Sequence, residues 1–324
     1  MQLTRFSFHP AAIILSLSTL LFSTQACAAH CLYVSSYHKG YEWNDGIERG
    51  LDETLKGKCD VDKFYMDTNR NTDVKHAKRM ALLAKAHIEK TRPDIVIACD
   101  DPASKYLVQP YYRNHPMPVV FCGVNWTVKT YGYPYTNVTG MIEMAAIKPM
   151  MKEVLNIKPG LLSGIYLTSD VITQHREYEF NRENLAQLGI QLKPLFVKTV
   201  SQWNRALLTA QKSQFVYLGT NAGINDWSDK DALKFSMQHT KTMTLTNYEW
   251  MAPLAMLSMT KIAEEQGEWA AQVALSILSG VQPNTIPIVA NRRWKIYINP
   301  GLAQKAGIKL PQRLLRTAIK VGNE

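Results

Sequence analysis

The strongest constraint on the fold is a repeated alternation of short apolar runs with longer segments of helical period. Cys31–Ser36 (CLYVSS) reads as a buried strand, and from Trp43 to Leu55 the residues Ile47, Leu51 and Leu55 fall on one helix face. Val61–Met66 reads as the next strand, and His76–Lys90 as a helix with Met80, Leu83, Ala84 and Ile88 on one side. Asp94–Ala98 (DIVIA) is a second buried strand, Ala103–Tyr112 a helix, and Pro118–Cys122 (PVVFC) a further strand. This order predicts a parallel sheet with helices on both faces. After Val138-Thr139-Gly140 the pattern restarts: helix from Pro149 to Leu155, strand Leu162–Leu167, helix from Val171 to Leu188, strand Leu192–Val197. A helix from Ser201 to Gln211 follows, with Ser201 as its N-cap, then strand Phe215–Leu218, helix from Lys230 to His239 and strand Met243–Thr246. Two α/β units of similar size follow one another with no Gly/Ser-rich linker between them, which predicts two lobes in close contact.

The amino terminus sets the compartment. Arg5 precedes an apolar run from Ala11 to Phe22, and Ala26, Cys27, Ala28 and Ala29 supply small residues where a signal peptidase cuts. Residues 1–29 therefore read as a secretory signal, with Cys27 as a weak candidate for lipidation. No later segment reaches the ~20 consecutive apolar residues of a spanning helix. Removing the signal takes one basic residue from 37 and no acidic residue from 27, leaving a mature surplus of nine positive charges. Those charges are scattered, with no basic run longer than Arg292-Arg293, so they read as a solvated surface and not as a nucleic-acid stripe. The mature chain keeps four cysteines, Cys31, Cys59, Cys99 and Cys122, and an even count in an exported chain favours disulfides. Three pairings are possible. The strand assignments point to Cys31–Cys59 and Cys99–Cys122. No C-x-x-C spacing or histidine cluster favours a metal.

In parallel sheets ligands bind beyond the carboxyl ends of the strands. There the sequence places Ser36 and Tyr37 with Trp43 nearby, Asp100-Asp101, Asn125, Thr168, Thr220-Asn221 and Glu249. Hydroxyls, amides, carboxylates and aromatic rings suit a small polar organic ligand. The same residue types also cap the helices that follow strands, and Asp101-Pro102 in particular reads as a helix start. The chain contains no G-x-S-x-G, no H-E-x-x-H and no Gly-rich phosphate loop, so no catalytic constellation stands out.

Six stretches carry a resemblance: Val34–Leu51, Val119–Asn125, Asn137–Glu143, Asn247–Pro253, Glu264–Ile288 and Ile298–Pro311. In their order and spacing the chain resembles the periplasmic substrate-binding proteins of an ABC-transporter-associated family with a type I binding-protein fold. The resemblance implies two lobes, 30–140 with 263–285 and 141–262 with 286–324, joined by crossovers near Gly140, Ile262 and Ile286. It implies that the helix from Glu264 to Leu278 returns to the first lobe. Ligand contacts at strand ends would fall on Ser36, Tyr37, Asp100, Asp101, Asn125, Thr168, Thr220, Asn221 and Glu249, with Trp43 beside them. The family's amino-acid binders carry small hydroxyl residues or alanine after the third strand, whereas this chain has Asp100-Asp101, which points to an amine. The expected function is capture of an amino-acid-like or amine solute, without cofactor or catalysis, by a periplasmic monomer that hands it to a membrane permease. The alternative output is docking on a membrane histidine kinase or diguanylate cyclase.

Overall fold

The structure is a computed structural model that describes residues 29–322. Residues 1–28 of the signal segment, Cys27 among them, lie outside the described residues. The first lobe opens with β1 (Ala29–Ser35), α1 (Glu42–Leu55), β2 (Cys59–Tyr65), α2 (Val74–Thr91) and β3 (Ile95–Cys99). A short α3 (Asp100–Ala103) runs through a π turn (Ser104–Val108) into α4 (Gln109–Tyr111), and β4 (Val119–Asn125) and β5 (Val138–Glu143) follow. The chain then builds α5 (Ile147–Ile157), β6 (Ser163–Ser169), α6 (Ile172–Ala186), β7 (Gln191–Val197), α7 (Val200–Ala210) and β8 (Phe215–Leu218). After α8 (Asp229–His239) come β9 (Met243–Thr246), a 3-10 turn (Glu249–Leu254) and β10 (Leu257–Lys261). The remainder is α9 (Ala263–Leu278), β11 (Val289–Ala290), β12 (Trp294–Ile298), α10 (Pro300–Lys305), α11 (Gln312–Thr317) and β13 (Ile319–Lys320).

These strands form two sheets, ordered β11-β5-β4-β3-β1-β2 and β13-β12-β10-β9-β8-β6-β7. Every pairing is parallel except β10 with β12. The chain passes between the sheets three times: at 144–146 after β5, at Ile262 between β10 and α9, and at 291–293 between β11 and β12. Gly140 lies inside β5 and Ile286 before β11, so two passages fall beyond those positions. Gly140 is held in the strand by close approach, since a Cβ there would stand 2.3 Å from the Phe121 carbonyl oxygen.

Each sheet is sealed on both faces by apolar side chains. Leu32, Val34, Ala98 and Phe121 face the α2 side of the first sheet, while Tyr33, Ile95, Ile97 and Val120 meet α1 and α9. Alternation along each strand sends neighbours to opposite cores. The N-cap of α7 is Thr199, whose hydroxyl accepts from the Gln202 amide, and not Ser201. Thr199 stands just ahead of the first helical turn, where the free amides are, and Ser201 already lies within the helix. The disulfides join neighbouring strands as expected: Cys31–Cys59 ties β1 to β2, and Cys99–Cys122 ties β3 to β4.

The returning helix α9 docks on α1 through glycines. A Cβ on Gly267 would lie 1.9 Å from the Ile47 carbonyl oxygen, and one on Gly50 would lie 2.2 Å from the Glu264 carbonyl oxygen. Backbone atoms cannot retreat as a flexible side chain can. Gly267→Ala is therefore expected to destabilise the protein by about 1–3 kcal/mol, the cost of forced overpacking. Gly301→Ala, whose nearest neighbour would be the Met237 methyl at 3.4 Å, should change stability by less than ~0.5 kcal/mol. Urea midpoints of the two variants check the contrast.

Candidate functional site

The carboxyl ends of β1, β3, β4 and β5 supply one half of the site. Asp100 follows β3 directly, is 1% exposed and has a left-handed backbone, φ 72°. That conformation costs Asp and Asn less than most residues, because their short polar side chains bond locally. Its Oδ2 accepts from Asn44 Nδ2 at 3.0 Å. Across from it Gly123 is also left-handed, and a Cβ there would sit 2.6 Å from Asp100 Oδ1. Asp101 turns away to other partners. It accepts from the Asn125 side-chain amide at 2.8 Å and from the Tyr131 hydroxyl at 2.5 Å. Ser36 is buried and structural: its hydroxyl donates to the Cys99 carbonyl at 2.6 Å and accepts from the Ala103 amide at 2.8 Å.

The other half is a polar network rooted on α6. Gln174 Oε1 accepts from Thr168 Oγ1 at 2.6 Å and from the Tyr166 hydroxyl at 2.8 Å. Gln174 Nε2 donates to Glu177 Oε2 at 2.9 Å, and Asn247 Nδ2 donates to Glu177 Oε1 at 3.0 Å. The Tyr248 hydroxyl also donates to Glu177. These side chains sit at the ends of β6 and β9 and on the face of α6 turned inward.

Between the halves Lys261, the last residue of β10, forms an ion pair with Glu143, the last residue of β5. The ammonium also lies 5.1 Å from the Trp43 ring centroid. A second contact between lobes is the stack of Trp126 on Phe180, with ring centroids 5.7 Å apart.

Electrostatics follow from this crowding. Burial pushes the Asp100 carboxyl well above the usual carboxylate range, and the nearby Glu143 and Asp101 charges push the same way, against the Asn44 hydrogen bond. Burial likewise raises Glu143, with Lys261 opposing and Asp101 and Glu177 adding repulsion. Burial alone would lower the Lys261 ammonium, but Glu143 outweighs it and the result is a rise. Tyr37 and Tyr248 are both raised, first by burial and then by carboxylates, Asp100 for Tyr37 and Glu177 for Tyr248. Lys261 is the one cation among the charges acting most strongly on Tyr41 and Glu143.

Not every residue singled out from the sequence joins this cluster. Tyr37, Trp43, Asp100, Asp101, Asn125 and Thr168 stand in it or touch it. Thr220 reaches the cluster only through its carbonyl, 3.4 Å from the Thr168 hydroxyl, and with Asn221 it forms a turn in which Thr220 Oγ1 accepts from the Ala222 amide and the Asn221 carbonyl from the Ile224 amide. Glu249 is exposed and accepts from the Tyr297 hydroxyl, with Lys295 4.0 Å away. Sequence reasoning missed Asn44, Glu143, Gln174, Glu177 and Lys261, whereas Asn247 and Tyr248 stand at the strand end that it marked for polar residues, just beyond β9. One signal was available: Gln174, Glu177 and Asn181 occupy the i, i+3, i+7 positions of a buried helix face, where apolar residues belong. Surface hollows lined by Val200, Asn204 and Phe235, and by Lys85, Arg92 and Tyr111, lie on outer faces away from these strand ends. Among the described residues no group of three or more His, Cys, Asp and Glu is arranged to hold a metal ion.

Comparison with known proteins agrees with two sheets meeting at a polar junction. The profile of the ABC transporter substrate binding protein family matches residues 36–322, and the chain belongs to that family. The ligand-free, open structure of CD0873, a substrate binding protein with adhesive properties from Clostridium difficile, superposes with a TM-score of 0.70 at 13% identity. That match covers 92% of this chain and 100% of the other. An ABC domain from Streptococcus pneumonia in complex with L-Trp gives 0.58 at 16% identity, over 91% of this chain and 99% of that one. A conserved domain protein from Vibrio cholerae gives 0.60 at 18%, with the same coverage. These likenesses establish the type I binding-protein fold. No curated protein matches the chain.

The raised Asp100 carboxyl has a consequence for stability. A carboxyl whose pKa is higher in the folded than in the unfolded chain makes the protein less stable as pH rises from the ordinary carboxylate range through the raised value. Asp100→Asn removes that liability, keeps an acceptor for Asn44 and tolerates the left-handed backbone. Without ligand it should melt higher than the native protein at pH 8, the direction that the raised Asp100 carboxyl sets. The difference should shrink as the buffer approaches pH 4. Thermal melts across that range decide it, and a variant that melts lower at pH 8 would contradict this electrostatic account.

Proposed function

We propose that the protein is exported to the periplasm, captures a small polar organic solute bearing an amine between its lobes, and delivers it to the permease of an ABC transporter. The observation that carries the ligand class is the surplus of carboxylates. Lys261 pairs with Glu143 and feels Glu177 from its own lobe, while Asp100 and Asp101 add two further carboxylates on the Glu143 side. An ammonium group meets carboxylates through charge-assisted hydrogen bonds, the strong class of polar contact. The half-buried Tyr37 and Trp43 rings supply walls that favour a cation over their faces. Export accords with two disulfides and with the finding that no described helix is long and apolar enough to cross a membrane. Enclosure between lobes provides affinity through hinge closure. The family match favours delivery to a transporter over docking on a sensor.

A thermal-shift screen of the purified mature protein against amino acids, amines, nucleosides and small peptides tests this reading. An amine-bearing hit should stabilise the folded state by about 2.7 kcal/mol at a hundredfold excess over its Kd. A hit confined to anionic or uncharged solutes would overturn the amine assignment.

A further inference from the structure

We infer that the solute is a linear dication, a diamine or short polyamine, with one ammonium held beside Asp100 on the first lobe and the other beside Glu177 on the second. This rests on the reading of the junction as the binding site and narrows its ligand class.

The first argument is the commitment of Lys261. An α-amino acid brings a carboxylate that needs a cation or a set of free donors. Lys261 is already paired with Glu143 and lies over Trp43. The side-chain amides beside the carboxylates each spend an N–H inward: Asn44 on Asp100, Asn125 on Asp101, and Gln174 and Asn247 on Glu177. A ligand carboxylate entering here would face Asp100, Asp101 and Glu177 with no cation left to balance them.

The second argument comes from the buried atoms left without partners. Asn44 is fully buried and Asn247 is 6% exposed, yet Oδ1 of each has no hydrogen-bond partner. Both oxygens are acceptors, and each belongs to an amide whose nitrogen grips a site carboxylate. An ammonium carries three donors and no acceptor. A carboxylate oxygen with an amide oxygen beside it is therefore a matched receiver for one ammonium, and the structure holds one such pair on each lobe.

The third argument is placement. The Glu143–Lys261 pair joins the ends of β5 and β10, with Asp100 held by Asn44 on the first lobe and Glu177 held by Asn247 on the second. Tyr37 stands at the Asp100 end and Tyr248 at the Glu177 end. A molecule with cationic ends and an apolar spacer fits two charged ends separated by a paired, aromatic-flanked middle.

Isothermal titration of the purified mature protein with putrescine, cadaverine, spermidine, butylamine and L-leucine tests the inference. At least one di- or polyamine should bind tenfold or more tightly than butylamine, which has the carbon chain of putrescine and a single charge. Asp100→Asn and Glu177→Gln, each checked for native melting, should each weaken that binding about tenfold or more, as loss of a charge-assisted contact requires. If one variant fails to fold, the native comparison of diamine with butylamine decides alone. Butylamine or L-leucine binding as tightly as the best diamine would overturn the dication and leave the receptor reading standing. No heat or melting shift with any di- or polyamine would overturn it too, and the wider solute screen then judges the receptor reading on its own.

Discussion

The Glu143–Lys261 ion pair is the contact on which the arrangement of the two lobes turns. Glu143 ends β5 immediately before the first passage between sheets, and Lys261 ends β10 immediately before the second. The pair therefore ties together two of the three connections. Glu143 is 7% exposed, so removing the lysine would leave an uncompensated buried carboxylate. Breaking such a pair costs several kcal/mol even where the pair itself adds little net stability. Its value here is positional: it joins the two sheets where β5 and β10 end and occupies the local ammonium.

Around that pair the site is supported by elements distant in sequence. Cys99 and Cys122 face each other in register on β3 and β4, one residue before Asp100 and Gly123. The disulfide thus sits directly under the two left-handed residues that meet at the site. From the other side α9 contributes Gln266, whose side-chain oxygen accepts from the Gly123 amide at 3.0 Å. The glycine contacts that seat α9 on α1 therefore also position Asn44, which lies on α1 and holds Asp100. One passage of the chain between lobes carries both the core packing and the support of the carboxylate.

Much of the fold was legible because buried strands and amphipathic helices have distinct periods. Phe215–Leu218 and Met243–Thr246 stand as read, and the cysteine pairing followed from strand adjacency. β5 was missed because Thr139, Gly140 and Glu143 break its apolar run, and β10 because Ser258, Thr260 and Lys261 do the same. Both interruptions occur where the chain leaves one lobe for the other, so the residues that blurred the pattern include the two that form the ion pair. The site was half legible. Position after a strand singled out Asp100, Asp101 and Thr168 as candidates, but their partners are supplied only by folding. Asp100 and Asp101 are neighbours in sequence with different fates, one buried against Asn44 and the other bound to Asn125 and Tyr131. Glu177 lies within a helix, where strand-end reasoning does not look.

The distribution of carboxylates also bears on how a ligand could drive closure. With acidic groups on both lobes and one lysine spent on Glu143, approach of the lobes concentrates like charge in a region of falling dielectric. Burial raises the Asp100 and Glu143 carboxyls, so gathering these groups disfavours their charged forms. A ligand shifts a conformational equilibrium only by its difference in affinity for the two states. On the proposed reading a cation has such a difference, because a ligand held between Asp100 and Glu177 would meet carboxylates of both lobes at once. The same charges that oppose closure of the empty protein then favour it, and a solute without positive charge gains nothing from the approach of the second lobe. Selectivity and closure would thus share one electrostatic origin, set by Lys261 having been committed elsewhere.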